Sequence, residues 1–232
     1  MEKKEKTQIY NLVVLDKSGS MECIRRAAME GFNETLAGIK KAQKEYADTQ
    51  EHYISLITFC SCSRDAVYDK VPVAEAEPLT LNQYVPCCCT PLYDAMGFAL
   101  TSMREHVKDI DDVAVVVTII TDGLENASKE YNRRSIHALV DSLKSGGWSF
   151  TFMGANQNSS EVAQSLAIRN SQDFDYSEEG ISKAYHRDRR SKFSFFEKLH
   201  SSFSLRKQLS EEERLTRNSE LANEAYDETT EL

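Results

Sequence analysis

The feature that most constrains the fold is an eight-residue apolar run from Val113 to Ile120, which is rich in β-branched residues. A strand that is apolar on both faces is typical of a parallel sheet covered by helices on each side, because neither face of such a strand meets water. We therefore predict that Val113–Ile120 is a central strand of an α/β sheet.

Strand-like and helix-like segments alternate along the rest of the chain. An apolar run from Ile9 to Asp16 is followed by apolar residues at three- and four-residue spacing from Ile24 to Ile39, which predicts a helix with one buried face. A further strand, His52–Phe59, has a predicted hairpin partner at Asp65–Val73. The full order, β-α-β-β-α-β-α-β-α-β, predicts a doubly wound, mostly parallel central sheet with one antiparallel edge strand and helices on both faces.

Length and composition predict one domain followed by a tail. With 232 residues and 41% hydrophobic content, the chain is long enough for one substantial core. We expect the domain to span residues 7–200 and to include a C-terminal helix near Glu178–Leu199. Residues 201–232 hold many acidic side chains and few large apolar ones. We expect them to form an acidic polar tail that is mobile or depends on a partner.

Charge and hydropathy argue against several classes of partner. The formal charge of -9 disfavours a nucleic-acid partner, since phosphate contacts require clustered Lys and Arg. The charged N-terminus lacks the apolar region of a secretory signal, and no stretch approaches the roughly 20 apolar residues of a membrane span. We therefore expect a cytoplasmic protein without membrane contact, in which the six cysteines are thiols or ligands rather than structural disulfides.

Oxygen-bearing side chains follow both long apolar strands. Asp16, Ser18 and Ser20 come directly after the first strand, and Asp122 follows the second. Ligands of open parallel sheets bind beyond the carboxyl ends of the strands, where successive connections leave in opposite directions, so we predict that these residues meet there. Two carboxylates at that place would repel each other unless a cation lay between them. With the hydroxyl of Thr90, this donor set suits Mg²⁺ or Mn²⁺, which prefer hard oxygen ligands.

The same residues resemble those of a von Willebrand factor type A (VWA) domain, which has a Rossmann-like fold. The metal-ion-dependent adhesion site (MIDAS) of that family uses an Asp-x-Ser-x-Ser loop, a later Thr and a later Asp. The resemblance covers about Ile9 to Ser177, and the surrounding motifs Thr90-Pro-Leu-Tyr-Asp-Ala95 and Ile119-Ile-Thr-Asp-Gly123 also resemble the family's. Asp16, Ser18, Ser20, Thr90 and Asp122 match all five ligand positions in order.

This resemblance implies binding rather than catalysis. In the family, the metal keeps one coordination place for an acidic side chain, so we expect a non-enzymatic module whose protein partner offers Asp or Glu. By the same resemblance, Ser18 and Ser20 would bind the metal directly and Thr90 directly or through water, while the aspartates would alternate between the two modes. The enzymatic alternative is a Mg²⁺-dependent phosphohydrolase of the haloacid dehalogenase type. Such enzymes normally carry a second aspartate where this chain has Ser18, so the general acid/base is missing.

The cysteines are the main departure from the family. Where the family commonly has glycines before its metal-binding Thr, this chain has three consecutive cysteines. We expect all six to rim the face that carries the oxygen set: Cys23, Cys60, Cys62, Cys87, Cys88 and Cys89. Three interpretations stay open, namely small soft side chains that fill tight space, a soft-metal site such as Zn²⁺, and redox-sensitive thiols that would make this face a sensor. The cysteine spacings match no established zinc pattern, so packing is the preferred interpretation.

Overall fold

The computed structural model describes residues 6–155 and 159–230. The strands are β1 (Thr7–Asp16), β2 (Gln50–Phe59), β3 (Arg64–Pro72), β4 (Val113–Thr121), β5 (Ser149–Ala155) and β6 (Asn170–Phe174). The α-helices are α1 (Arg25–Glu45), α2 (Leu92–Val107), α3 (Arg133–Ser145), α4 (Ser159–Ser165), α5 (Glu178–Ser201), α6 (Phe203–Arg206) and α7 (Glu211–Thr230). Short 3₁₀ helices, Gly19–Ile24 and Val73–Glu75, follow β1 and β3. Through β6, strands and α-helices follow the predicted order.

The strands form a six-stranded sheet in the order β3-β2-β1-β4-β5-β6. β1 pairs in parallel with β2 on one side and with β4 on the other, whereas β3 pairs antiparallel with β2 at the edge. This confirms the predicted doubly wound, mostly parallel sheet with one antiparallel edge strand. From β1 the chain first adds β2 and β3 on one side, and it then crosses back through α2 to β4 on the other side of β1. The topological switch point, where the direction of the connections reverses, therefore lies between β1 and β4.

Helices cover both faces of the sheet because the strands bury alternate side chains on opposite sides. On β1, Ile9 and Val13 pack with α1, α5 and α7, whereas Leu12 and Val14 pack with α2, α3 and the region of α4. β4 is buried along almost its whole length, as the apolar run Val113–Ile120 predicts. The carboxyl ends of β1 and β4 therefore lie side by side in a sheet that is covered on both faces.

The C-terminal helix α7 packs against α5 on the same side of the sheet as α1. Leu221, Ala222 and Ala225 are buried in the core that these helices share. The Tyr226 hydroxyl donates a hydrogen bond to the Ser171 carbonyl at 2.5 Å, which ties α7 to β6. Residues 211–229 thus contribute to the core, while the division of the chain at residue 200 stays a prediction. Among the described helices, none combines the length and the apolar character that a membrane crossing requires.

Candidate metal site

The first part of the site is the turn that follows β1. Asp16 is the last residue of β1 and is fully buried. Its Oδ1 accepts a hydrogen bond from the backbone N–H of Ser18 at 2.6 Å, and its Oδ2 accepts one from the Thr121 hydroxyl at 2.6 Å. The Tyr84 hydroxyl donates to the Asp16 carbonyl at 2.6 Å. These bonds hold the carboxylate at the carboxyl edge of the sheet.

The second part of the site is Asp122, directly after β4. The Ser20 hydroxyl donates to its Oδ1 at 2.7 Å, and the hydroxyl oxygens of Ser18 and Ser20 lie 3.2 Å apart. Its other oxygen, Oδ2, is buried and has no hydrogen-bond partner among the described residues. The nearby Tyr176 hydroxyl donates instead to the Ser20 carbonyl. One carboxylate oxygen is therefore removed from water without a hydrogen bond from the described residues, although the Tyr176 hydroxyl lies beside Asp122.

Thr90 enters the site from the loop before α2. The Thr90-Pro91 pair in the sequence favours Thr90 as the N-cap of this helix, but the helix begins at Leu92, and side chains of Glu125 and Ser128 cap its first turn instead. The Thr90 hydroxyl is therefore not used as a cap. Its backbone N–H donates to the Asn126 side-chain oxygen at 2.9 Å, and the Asn126 N–H donates to the Thr90 carbonyl at 3.1 Å. This reciprocal pair fixes Thr90 against the loop that follows β4.

The position of Gly123 shows how close the loops after β1, before α2 and after β4 come to one another. A Cβ built on Gly123 would lie 3.1 Å from the Thr90 hydroxyl oxygen and 3.8 Å from that of Ser20. The two hydroxyls thus flank one glycine, which directly follows Asp122. The structure brings together all five residues that the sequence singles out, although their role as metal ligands stays a prediction.

Both carboxyl groups of the site are destabilised as anions. Burial raises the pKa of Asp16 to about 6 and outweighs the hydrogen bonds from Thr121 and Ser18, which favour the charged form. The negative charge of Asp122 raises it further. Burial also raises the pKa of Asp122. No ion pair formed within residues 6–155 and 159–230 includes either carboxylate. The site therefore holds two desolvated acids without a cation from these residues.

This arrangement fits a hard divalent cation. Its donors are carboxylate and hydroxyl oxygens, which Mg²⁺ and Mn²⁺ prefer over nitrogen and sulfur. Asp16, Ser18 and Thr90 are buried, whereas Ser20 is exposed and Asp122 is partly exposed. An ion held here would thus be supported from below by the sheet and accessible from the side of Ser20 and Asp122.

Sequence reasoning missed three residues that support the site. Thr121 donates to Asp16, Asn126 fixes Thr90, and Tyr176 fixes the carbonyl of Ser20. The position of Thr121 between a buried strand and Asp122 was a usable signal. No local pattern marks Asn126 or Tyr176, because their partners lie 36 and 156 positions away in the sequence.

The cysteines separate into a cluster and two residues outside it. The Sγ atoms of Cys60 and Cys87 lie 3.1 Å apart, and those of Cys62 and Cys88 lie 2.7 Å apart. Cys60, Cys62 and Cys87 place their sulfurs within 4.8 Å of one another. Cys23 contacts the Tyr176 hydroxyl instead. Cys89 is exposed, and within the described part of the chain its sulfur makes no contact with another thiol. We call Cys60, Cys62, Cys87 and Cys88 the four-thiol cluster.

The thiols of this cluster titrate together. Burial raises the pKa of Cys60, but hydrogen bonds from the Cys87 thiol and from the backbone of Cys62 and Ser63 outweigh this effect, so its net pKa is lowered. The same contact raises the pKa of Cys87 to about 12, because Cys87 shares its proton with Cys60. Cys60 is thus stabilised as the thiolate within this pair.

Backbone hydrogen bonds link the cluster to the oxygen site. The Gly19 N–H donates to the Cys88 carbonyl at 3.0 Å, and the Cys87 N–H donates to the Lys17 carbonyl at 2.8 Å. The Lys17 N–H in turn donates to the Phe59 carbonyl at 2.8 Å. The turn after β1 therefore lies between the end of β2 and the loop that carries Cys87 and Cys88, which we call the cysteine loop. It forms backbone hydrogen bonds with both.

Solved structures share this architecture. The pilus adhesin SpaC from Lactobacillus rhamnosus GG, in its open conformation, is similar with a TM-score of 0.61 at 15% identity, over 83% of this chain and 31% of the adhesin. Proximal thread matrix protein 1 from the mussel byssus, in a structure with a zinc-occupied MIDAS motif, is similar with a TM-score of 0.51 at 13% identity, over 81% of this chain and 46% of that protein. This chain thus spans less than half the length of either neighbour.

The comparisons establish the fold. Neither a protein-family model nor a curated protein matches the sequence. The structural neighbours nevertheless show that the chain has the VWA fold, as the resemblance of its motifs predicts.

Proposed function

We propose that this chain is a metal-dependent protein-binding module. Asp16, Ser18, Ser20, Thr90 and Asp122 would hold a Mg²⁺ or Mn²⁺ ion at the carboxyl edge of the sheet. One observation carries the proposal, namely that a fully buried and a partly buried carboxylate share this edge with three hydroxyls and receive no cation from the described residues. The zinc-occupied MIDAS motif of the mussel protein supports it as an analogy of fold.

The energetic argument starts from the cost of burying charge. A carboxylate taken out of water without a compensating charge is costly, and a second one beside it adds repulsion. A bound divalent cation would offset both terms. It would also give the Oδ2 of Asp122, which accepts no hydrogen bond from the described residues, a positively charged partner.

The partner that fits such a site carries an accessible Asp or Glu. When bound, the cation supplies a coordination position that a carboxylate of the partner can fill. Ser20 is exposed beside this position, and the side chain of Leu124 is 64% exposed two residues after Asp122. A partner segment in which an acidic residue is followed by an apolar one would therefore complement this edge of the site.

The test separates metal binding from partner binding. We expect the full chain to bind Mn²⁺, measured by calorimetry or by water-proton relaxation, and Asp16→Asn to lose that binding. Asp141→Asn changes an exposed carboxylate on α3 and is the matched control, for which we expect unchanged binding. Unchanged Mn²⁺ binding in Asp16→Asn would refute the proposal.

Partner chemistry is tested with an array of immobilised peptides that carry a central Asp or Glu. We expect the full chain to be retained only when Mg²⁺ is present, and we expect retention to be lost on peptides with Asn or Gln at that position. Equal retention on the amide peptides would contradict recognition of a carboxylate. A Mg²⁺-dependent phosphatase activity that Asp16→Asn abolished would favour the enzymatic alternative.

A further inference from the structure

The four-thiol cluster joins two segments that are distant in the sequence. Cys60 and Cys62 lie in the turn between β2 and β3, while Cys87 and Cys88 lie in the loop before α2. The sulfurs do not form two isolated pairs, since Cys87 contacts both Cys60 and Cys88, and Cys62 contacts both Cys88 and Cys87. A disulfide joins only two sulfurs, whereas these contacts connect all four into one group, in which Cys60, Cys62 and Cys87 lie within 4.8 Å of one another.

The backbone holds these two segments in place without the thiols. The Ser61 N–H donates to the Cys89 carbonyl at 2.9 Å, and the Cys89 N–H donates to the Ser61 hydroxyl at 3.1 Å. The Cys60 N–H donates to the Ser63 carbonyl at 2.8 Å and closes the turn after β2. The cluster is therefore preorganised by hydrogen bonds that do not involve sulfur.

Cys88 adopts a backbone conformation that a cysteine rarely adopts. Its φ is +58°, in the left-handed region, which costs a residue with a β-carbon about 1 kcal/mol relative to glycine. The side chain that incurs this cost is the one whose sulfur lies against Cys62. The strain indicates that the thiol itself has a role at this position, since glycine would fit the backbone better.

We propose that the four-thiol cluster is a Zn²⁺ site, with Cys60, Cys62 and Cys87 as three ligands and Cys88 as the fourth. Zinc takes four thiolates at about 2.3 Å in tetrahedral geometry, which places their sulfurs roughly 3.8 Å apart. The sulfurs of Cys60, Cys62 and Cys87 already lie within 4.8 Å of one another, and that of Cys88 lies 2.7 Å from the sulfur of Cys62. Binding releases the thiol protons to the solvent and needs no oxidant.

The site is distinct from the oxygen site and does not depend on the function proposed for it. Thiolates select soft ions and oxygens select hard ones, so the two neighbouring sites would take different metals. Zinc would brace the cysteine loop, whose backbone bonds to Gly19 and Lys17 hold the turn that carries Ser18 and Ser20. Its role would thus be structural support of the adjacent face.

The experiment uses the full chain, purified with a non-chelating reductant and then loaded with Zn²⁺ or Co²⁺. We expect one tightly bound zinc per chain by elemental analysis after dialysis. With Co²⁺ we expect the visible bands and the sulfur-to-cobalt charge-transfer absorption of a tetrahedral thiolate complex. Cys62→Ser and Cys60→Ser should lose both signals, whereas Cys23→Ser and Cys89→Ser, which change thiols outside the cluster, should keep them.

Two further arms distinguish zinc at the thiols from zinc at the oxygen site and from disulfide formation. Zinc can occupy an oxygen site, as in the mussel protein, so Asp16→Ala must keep the thiolate signal for the proposal to hold. In the unmutated protein, zinc should protect the four clustered cysteines from iodoacetamide and leave Cys23 and Cys89 reactive, a readout that requires no variant to fold. Zinc lost in Asp16→Ala but kept in Cys62→Ser would overturn the proposal. Reduced protein that binds no zinc, with disulfides formed in air, would overturn it equally.

Discussion

The two ends of the β1–β4 pair hold buried acids in opposite ways. At the amino end, Asp112 precedes β4 and accepts hydrogen bonds from the Thr7 hydroxyl at 2.9 Å and from Arg206 at 3.0 Å, with Lys207 3.2 Å away. At the carboxyl end, Asp16 and Asp122 accept bonds from hydroxyls and from backbone N–H groups only, within the described residues.

Another buried acid follows the pattern of the amino end. Asp188 on α5 forms an ion pair with Lys192, and the Lys192 ammonium also donates to the Thr118 hydroxyl at 2.6 Å. Asp112 and Asp188 are thus buried carboxylates for which this chain supplies its own cation. Asp16 is buried as deeply and receives no cation from the described residues, and the proposed metal ion would supply that charge.

The largest effect that tests this contrast is on folding in the absence of metal. Arg206→Ala leaves Asp112 buried with only Lys207 as a counter-charge, and we expect the free energy of unfolding to fall by about 3–5 kcal/mol. Asp16→Asn removes an uncompensated charge, so at neutral pH we expect no loss of stability and a gain of up to about 3 kcal/mol. Urea unfolding in EDTA measures both variants. Comparable losses would show that the two ends do not differ.

The next effect is a pH dependence at the carboxyl end. Because the folded-state pKa of Asp16 is raised from 3.8 to about 6, the stability linked to its protonation is present at low pH and is lost as pH rises from about 4 through 6. The loss amounts to about 3 kcal/mol at neutral pH.

Unfolding in EDTA across this range should therefore show Asp16→Asn gaining stability relative to the unmutated protein as pH rises. Mg²⁺ should stabilise the unmutated protein more at pH 7 than at pH 5. A stability difference between the two proteins that does not change with pH would contradict a raised pKa of Asp16.

A smaller effect concerns the hydroxyl of Ser20, which is exposed and contributes little to folding. Ser20→Ala removes one oxygen of the site, and we expect Mg²⁺ binding to weaken about tenfold, which is about 1.4 kcal/mol. Stability in EDTA should change by less than about 0.5 kcal/mol. Ser204→Ala removes an exposed hydroxyl near the amino end of the sheet and should leave Mg²⁺ affinity unchanged. Equal affinities for both variants, measured by calorimetry, would remove Ser20 from the ligand set.

The smallest expected effect tests whether the Thr90 hydroxyl takes part in metal binding. Gly123→Ala places a Cβ 3.1 Å from the Thr90 hydroxyl oxygen, so this hydroxyl must shift by a few tenths of an ångström. We expect a severalfold loss of Mg²⁺ affinity with a stability change below about 1 kcal/mol. Gly38→Ala, whose Cβ would meet only the flexible side chain of Arg189, is the control and should not alter affinity. Full affinity in Gly123→Ala would mean that Thr90 contributes nothing to binding.

Local patterns predicted most of the fold because the strands are nearly continuous apolar runs and the helices repeat at three- and four-residue spacing. They also predicted that Asp16 and Asp122 lie at the same edge, since Asp16 ends β1 and Asp122 directly follows the neighbouring parallel strand β4. They did not predict that the Thr90 hydroxyl is free of a capping role, because Thr-Pro before a helix is a common capping signal.

The amino-acid sequence by itself determined the order of strands and helices and the set of oxygen donors, because hydrophobic periodicity and strand ends are local properties. Only the tertiary structure decided which buried acids receive a positively charged partner and which cysteines contact one another. Arg206 reaches Asp112 across 94 positions, and Cys60 meets Cys87 across 27. Contacts of this kind depend on how distant loops pack, and no short pattern in the chain encodes them.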